Sequence, residues 1–399
     1  MTGKFMKISV SGIGMTKFGE IWDKSVYDLA YEASLKAIAN SDLDKKEIDA
    51  VFVANMLASK LEGQDHLGSV VATALGLQVP AVRIEGACAS GGLAIHAGVQ
   101  AILSGLYDTV LVVGAEKMTD PSSCEITTAL MGAGSEEERL SGLTFPALYA
   151  LMARAHMDKF GTTREQMAEV AVKNHFHATL NEHAHFSFPV SVEKVLRSPS
   201  ISFPFTLFDA SPISDGAAAV ILTRSTSHSA RSQAEGSGQA KKSTKKSVVI
   251  SGSAVATDTI GLSQRKSLTE LAATKIASEK ARKMAGVTLK DIDIVEAHDC
   301  FTIAEIMAME DLGFCAKGEG GAFIASGYTR LGNKMPVNTS GGLKACGHPV
   351  AATGVKQIVE ITQQLRGQAG DRQVKGAKVG LAHNVGGTGA TVVVHILEN

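Results

Sequence analysis

Two sulfurs and three imidazoles stand in this 399-residue chain where their types and spacing could do chemistry. Cys88 falls in Val82-Arg83-Ile84-Glu85-Gly86-Ala87-Cys88-Ala89-Ser90-Gly91-Gly92-Leu93: a β-like run, a corner of small residues, then a helix-like segment. A thiol there faces unpaired backbone N–H groups and the positive end of a helix dipole. Its thiolate should be stabilised, with a pKa below the ordinary value of about 8.5. The same amides would hold an oxyanion once the sulfur attacked a carbonyl. The alternative is a structural cysteine buried in a tight turn, a common fate of free thiols. Three second-half segments bear on that choice. They are Glu296-Ala297-His298-Asp299-Cys300-Phe301; Ser340-Gly341-Gly342-Leu343-Lys344-Ala345-Cys346-Gly347-His348-Pro349; and His383-Asn384-Val385-Gly386-Gly387-Thr388-Gly389. An imidazole within reach of Cys88 would take its proton, and a second thiol or imidazole would protonate a carbanion or a leaving thiolate. Singly each histidine reads as structural; together they favour catalysis.

The elements that must position these groups occur twice. In the first half, strand-like runs at 7–15, 50–54, 82–84 and 109–113 alternate with helix-like runs at 26–38, 68–77 and 93–103. That alternation indicates a parallel, helix-covered sheet. Between about 116 and 204 the rhythm breaks into a Gly/Glu/Ser-rich segment (132–142) and a long helical stretch (144–180), read as an inserted loop-and-helix unit. Ser211-Pro212-Ile213-Ser214-Asp215-Gly216 then leads into a strand at 217–222. The second half replays the order, with strands at 248–255, 293–297, 378–382 and 390–397 and helices at 303–312 and 352–365. Its first helix is expected to start from a Ser267/Glu270 capping box and to bury Leu268, Leu271, Ala272 and Ile276. In such a duplicated α/β unit Cys88 and His348 take equivalent places, near the switch points where ligands bind. The expected division is 1–118 for the N-terminal half, 119–205 for the inserted domain and 206–224 for completion of the first half. A flexible Ser/Lys linker at 225–247 and the C-terminal half at 248–399 follow.

A net charge of −1 gives no hint of a nucleic-acid partner. Five irregularly spaced cysteines argue for reduced thiols inside a cell. No apolar run reaches the roughly 18 residues of a membrane span, and no targeting signal is visible. The histidines at 175, 177, 183 and 185 fit no standard zinc spacing, so no metal is expected. Cys346 reads as packing, with contact to the site as the alternative, and Cys124 and Cys315 carry no functional signal.

The Glu-Gly-Ala-Cys-Ala-Ser-Gly-Gly run around Cys88, Gly347-His348-Pro349, and the duplicated sheet with its insertion resemble the thiolase superfamily over about residues 7–398. His298-Asp299-Cys300-Phe301 stands where commoner thiolases carry Asn-Glu-Ala-Phe, and His383-Asn384-Val385 where they carry Cys-x-Gly; both are marks of the sterol-carrier-protein type. The resemblance implies two mixed five-stranded sheets in a layered αβαβα arrangement with an inserted loop domain. It implies Cys88 as the nucleophile that takes an acyl group from acyl-CoA, His348 as its base and Cys300 as the acid/base. His298 with His348 would hold the thioester oxygen, and the amides of Cys88, Val385 and Gly386 a second oxyanion. His156, Met157, His383 and Asn384 are carried over as substrate contacts, with a plain helical core contact as the alternative for His156 and Met157. The implied reaction is the reversible Claisen cleavage of a 3-oxoacyl-CoA by coenzyme A, with no metal or tightly bound cofactor, in a homodimer. A peroxisome-type organelle (glycosome) or a mitochondrion is the implied compartment. A ketosynthase-like condensing enzyme and a catalytically weak acyl-CoA-binding protein are the other readings. The Ser/Lys linker is longer than the resemblance leads one to expect, and no lipid-carrier domain is expected after residue 399.

Overall fold

The computed structural model describes residues 7–225 and 246–399, so residues 226–245 of the expected linker lie outside the described residues. The first half contributes β1 (Ile8–Met15), α1 (Val26–Asn40), β2 (Ala50–Ala54), α2 (Leu67–Ala74), β3 (Ala81–Ile84), α3 (Ser90–Leu103) and β4 (Thr109–Glu116). The inserted segment carries α4 (Phe145–Phe160) and α5 (Arg164–Ala178), after which β5 (Gly216–Arg224) returns to the sheet. The second half adds β6 (Val249–Thr257), α6 (Ala272–Ala285), β7 (Ile294–Glu296), α7 (Thr302–Leu312), α8 (Ala352–Arg366), β8 (Val379–Gly386) and β9 (Thr391–Glu398). The long helix expected at 144–180 is two helices. Gly161 ends the first at φ +73, and Thr163 caps the second in a box with Gln166.

These nine strands join one sheet, in the order β3-β2-β4-β5-β1-β6-β9-β8-β7. The two halves meet edge to edge through a short antiparallel pairing, Ile8 opposite Ile250 and Ser9 opposite Val249. This corrects the expectation of two separate five-stranded sheets. The second half also has four strands rather than five, because its last position is reduced to a single parallel bridge between Val295 and Val337. Pro336 precedes that bridge. It offers a carbonyl to Val295 N–H but has no N–H of its own to extend a ladder.

The layering follows from which faces are apolar. α1 and α2 cover one side of the first half around Leu29, Ala33, Leu67 and Val71. α6 and α7 cover the outer side of the second half. Between the halves lie α3 and α8, whose Ile95, Val99, Val355 and Ile358 pack in one core with strands of both. A helix buried all round needs close neighbours. A Cβ on Gly354 would stand 2.2 Å from the backbone nitrogen of Gly92, so glycines set the distance between these two helices. α6 departs from expectation. It starts at Leu271 without a side-chain cap, Glu270 pairs instead with Lys275, and the Leu271 N–H goes to Asp311. Leu271 is buried as expected, but Ile276 is exposed, and the buried face of the helix includes Ala273, Ala277 and Ala281. Only small side chains fit there, since a Cβ on Gly252 would meet the Ala281 carbonyl at 2.2 Å. Among the described residues no helix is long and apolar enough to cross a membrane.

Candidate active site

β3 delivers the chain to Gly86, and a single 3-10 turn, Ala87–Ala89, passes Cys88 into α3. Ala87 sits at φ +53, a conformation that costs an alanine about 1–2 kcal/mol. Three hydrogen bonds hold it: Ala87 N–H to Glu85 (2.6 Å), Gly86 N–H to Ser90 Oγ (2.9 Å) and Ser90 Oγ–H to the Ala87 carbonyl (2.6 Å). The sulfur is thereby turned onto the wall of a largely apolar cavity of about 500 Å³.

The second half arrives from three directions. β7 ends in the His298–Cys300 corner, which Asp299 ties to the glycine-rich loop by accepting Leu343 N–H (2.6 Å) and Lys344 N–H (3.2 Å). Gly342 is at φ +60, and a Cβ there would lie 2.3 Å from an Asp299 oxygen. Gly342→Ala should therefore lower stability by about 2–4 kcal/mol, measurable in a denaturant melt. An unchanged midpoint would remove this account of the loop.

His348 follows that loop. Its Nδ1 lies 2.7 Å from Thr353 Oγ1, whose hydroxyl donates to the Pro349 carbonyl (3.1 Å). The hydroxyl proton is spent, so Thr353 accepts Nδ1–H, and His348 Nε2 is left with its lone pair. From β8, Asn384 Oδ1 accepts the Gly92 N–H (3.0 Å), which fixes the amide's orientation. Its Nδ2 donates to the Cys88 carbonyl (3.0 Å) and to His298 Nδ1 (3.2 Å). His298 accordingly carries its proton on Nε2. Both Nε2 atoms are buried without a hydrogen-bond partner, and the two rings stand perpendicular with centroids 5.2 Å apart. Cys88 Sγ and one ring nitrogen from each of His298 and His348 lie within 4.8 Å of one another. Among the described residues this is the one His/Cys/acid group that converges. The histidines at 175, 177 and 185 are engaged separately, with Phe188, Asn338 and Ser214.

Burial decides the charges. It pushes the Cys88 thiol up to about 12, against the pull of the Gly387 and Cys88 N–H groups, and pushes the Cys300 thiol higher still. It lowers His348 to about 3 and holds His298 well below the imidazole range. The expected low-pKa thiolate is thus corrected: at neutral pH the resting set is two thiols and two neutral imidazoles. The helix terminus is present, but desolvation of the sulfur outweighs it.

Cys300 lines the same cavity as Cys88 and His348. The amides that reach the Cys88 sulfur are its own, one of those expected, and that of Gly387, next to the expected Val385 and Gly386, which pair with β9. His383, one residue from Asn384 on β8, points to the opposite face and meets Thr274 at 2.9 Å. His156 bonds Thr162 and Glu310 inside the fold, and Met157 packs in the core of the second half. These last three do not line the cavity; from α4 it is Phe145, Pro146 and Tyr149 that do. Cys346 is fully buried and accepts from Asn181. Sequence reasoning missed Tyr149, whose hydroxyl donates to the Gly387 carbonyl (2.9 Å) and adjoins the Cys300 thiol. It also missed Thr353, four residues after Pro349, a spacing that one helical turn brings back onto the His348 ring. Glu116 gave no signal at all. Its carboxylate accepts N–H groups of Met56, Leu57 and Ala351, joining the first sheet half to the His348 loop.

Comparison with known proteins agrees with this geometry. The family description "Thiolase, N-terminal domain" matches residues 8–197, and "Thiolase C-terminal domain-like" matches residues 254–399. The chain is 48% identical to an acetyl-CoA acetyltransferase of Methanothermobacter thermautotrophicus, over 98% of this chain and 99% of that one. It is 33% identical to sterol carrier protein 2 of Bos taurus, over 97% of this chain and 71% of that one. The solved Ltp2-ChsH2(DUF35) aldolase superposes with a TM-score of 0.82 at 25% identity, over 98% of this chain and 97% of that one. The chain belongs to the thiolase family. Within it, the HDCF corner and the likeness to sterol carrier protein 2 place it in the sterol-carrier-protein type, and it is an acyl-CoA acyltransferase.

Proposed function

We propose that Cys88 carries the acyl group in a reversible Claisen reaction between 3-oxoacyl-CoA and coenzyme A. The observation that supports this most directly is the pairing of tautomers. His348 offers a bare Nε2 and His298 an N–H at Nε2, both unpartnered beside the Cys88 sulfur. In cleavage, His348 Nε2 takes the Cys88 proton and the sulfur attacks the substrate's C3 carbonyl. The C3 oxyanion forms against the Cys88 and Gly387 N–H groups, and the thioester oxygen of the departing acetyl-CoA lies where His298 N–H and the new His348 N–H converge. The C2–C3 bond then breaks, its electron pair goes to C2 of the departing acetyl-CoA, and Cys300 supplies the proton. In the second half-reaction coenzyme A gives its proton to the Cys300 thiolate and attacks the thioester, and the leaving Cys88 thiolate recovers its proton from His348. Condensation is the same sequence reversed. Coenzyme A enters as substrate, and thiols, imidazoles and amides of this chain do the rest.

The apolar cavity, which Phe186, Phe188 and Phe208 line together with the two sulfurs, supports acyl groups longer than acetyl. A panel from acetoacetyl-CoA to long and 2-methyl-branched 3-oxoacyl-CoAs, assayed in both directions, should give kcat/KM rising beyond the four-carbon substrate. Activity confined to acetoacetyl-CoA would reject the longer-chain assignment. A homodimer built on the N-terminal halves belongs to the same reading. It is supported by β3, an edge strand with Val82 exposed, and light scattering on the purified chain tests it. The division of the chain at 118, 205, 224 and 247 and the peroxisome-type or mitochondrial address are carried by the family resemblance. Limited proteolysis and a fluorescent fusion in the source cell test them.

A further inference from the structure

Lys344 is a buried ammonium in a cavity that is otherwise nearly all apolar. Among the described residues its Nζ has one hydrogen-bond acceptor, the carbonyl of Ala210. Ala210 forms a β-bridge with Phe301, and the next residue, Ser211, donates its N–H to the Cys300 carbonyl (2.9 Å). The Lys344 backbone N–H is itself held by Asp299, the residue before Cys300. Both ends of the lysine are therefore anchored to the corner that carries the second thiol. A charged side chain kept from water, with a single neutral partner, needs a compensating anion. The carboxylates acting on it are those of Asp209 and Asp299. Asp209 is occupied by Thr206 and Thr302, and Asp299 by Asn174 and the loop amides. The other titratable groups facing it are Cys300 and, from α5, His175, which burial keeps neutral near pH 7 with a pKa of about 4.

We propose that Lys344 is an electrostatic positioning residue for Cys300: its ammonium stabilises the thiolate left when Cys300 gives its proton to carbon. The assignment rests on the acyl-transfer reading above. In cleavage the Cys300 S–H bond breaks, the new C–H bond forms at C2, and the electron pair stays on sulfur beside the cation. In reverse the thiolate takes that proton back from C2 of acetyl-CoA. Burial lowers the Lys344 pKa to about 8, so the cation is lost as pH rises through that value. In the second half-reaction the same thiolate takes the coenzyme A proton, so Lys344 acts there too through Cys300, while proton transfer between Cys88 and His348 leaves it aside.

Deuterium uptake at C2 of acetyl-CoA reads the Cys300 step, and alkylation of Cys88 by iodoacetamide, followed by peptide mass, reads the Cys88–His348 pair without it. Lys344→Met should slow deuterium uptake and thiolysis by about 10–100-fold with KM and Cys88 alkylation little changed. Lys344→Arg should restore most of the rate. The wild-type kcat should fall above about pH 8, and Lys344→Arg should lack that limb, which a merely structural lysine would not produce. Uptake by Lys344→Met within about twofold of wild type would overturn the assignment. If Lys344→Met does not fold, a Lys344→Arg profile with the same limb would do so. Failure of the wild-type chain to acetylate Cys88 would instead reject the acyl-transfer reading on which the assignment rests.

Discussion

Cys88→Ala should lower both thiolysis and condensation by at least about 10,000-fold and leave no acyl group on the protein after incubation with acetyl-CoA. The expectation is this large because the two half-reactions share one covalent intermediate. No neighbouring group replaces the lost sulfur: Cys300 stands in its own corner beside Tyr149, and His348 groups with residue 88 and not with Cys300. Stability should change little, since the thiol sits on a cavity wall rather than in packed core. Retained turnover, or an acyl adduct on the variant found by mass spectrometry, would remove Cys88 from the mechanism.

His348→Ala should cost about 100–10,000-fold in kcat/KM, because the resting Cys88 is a protonated thiol that must surrender its proton during attack. The sign of the pH dependence follows from the direction of the shifts. A histidine lowered to about 3 is already the free base at any higher pH, and a thiol raised to about 12 is still protonated below that. Neither partner titrates in between, so kcat/KM should stay nearly level from about pH 5 to pH 7.5. A step near the ordinary imidazole value would show that His348 is not desolvated as described. Iodoacetamide should likewise alkylate Cys88 with no inflection below about pH 8.5, and one there would restore the low-pKa thiolate.

Some of this architecture could be read from residue patterns and some could not. The alternation of strands and helices was visible because period-2 and period-3.6 patterns survive in any window of the chain. The break at Gly161 was overlooked because a single residue ended the helix. The face of α6 was misassigned because its buried side is alanine, chosen for close approach to Gly252 and not for hydrophobicity. His383 and Asn384 illustrate the same limit within one strand. Adjacent positions look alike in the motif, yet strand alternation sends one to Thr274 and the other to Cys88 and His298.

Sequence alone singled out the groups that the fold brings together: Cys88, His298, Cys300 and His348 were legible because each stands in a distinctive corner, most of them among small residues. Tertiary structure alone decided their states. The Cys88 pKa turns on burial against the helix terminus, the His348 tautomer on Thr353 and Pro349, and the His298 tautomer on an asparagine anchored to Gly92. Each of those balances depends on groups brought together across the fold. Electrostatics and hydrogen bonding act through distance in space, and spacing along the chain does not record it.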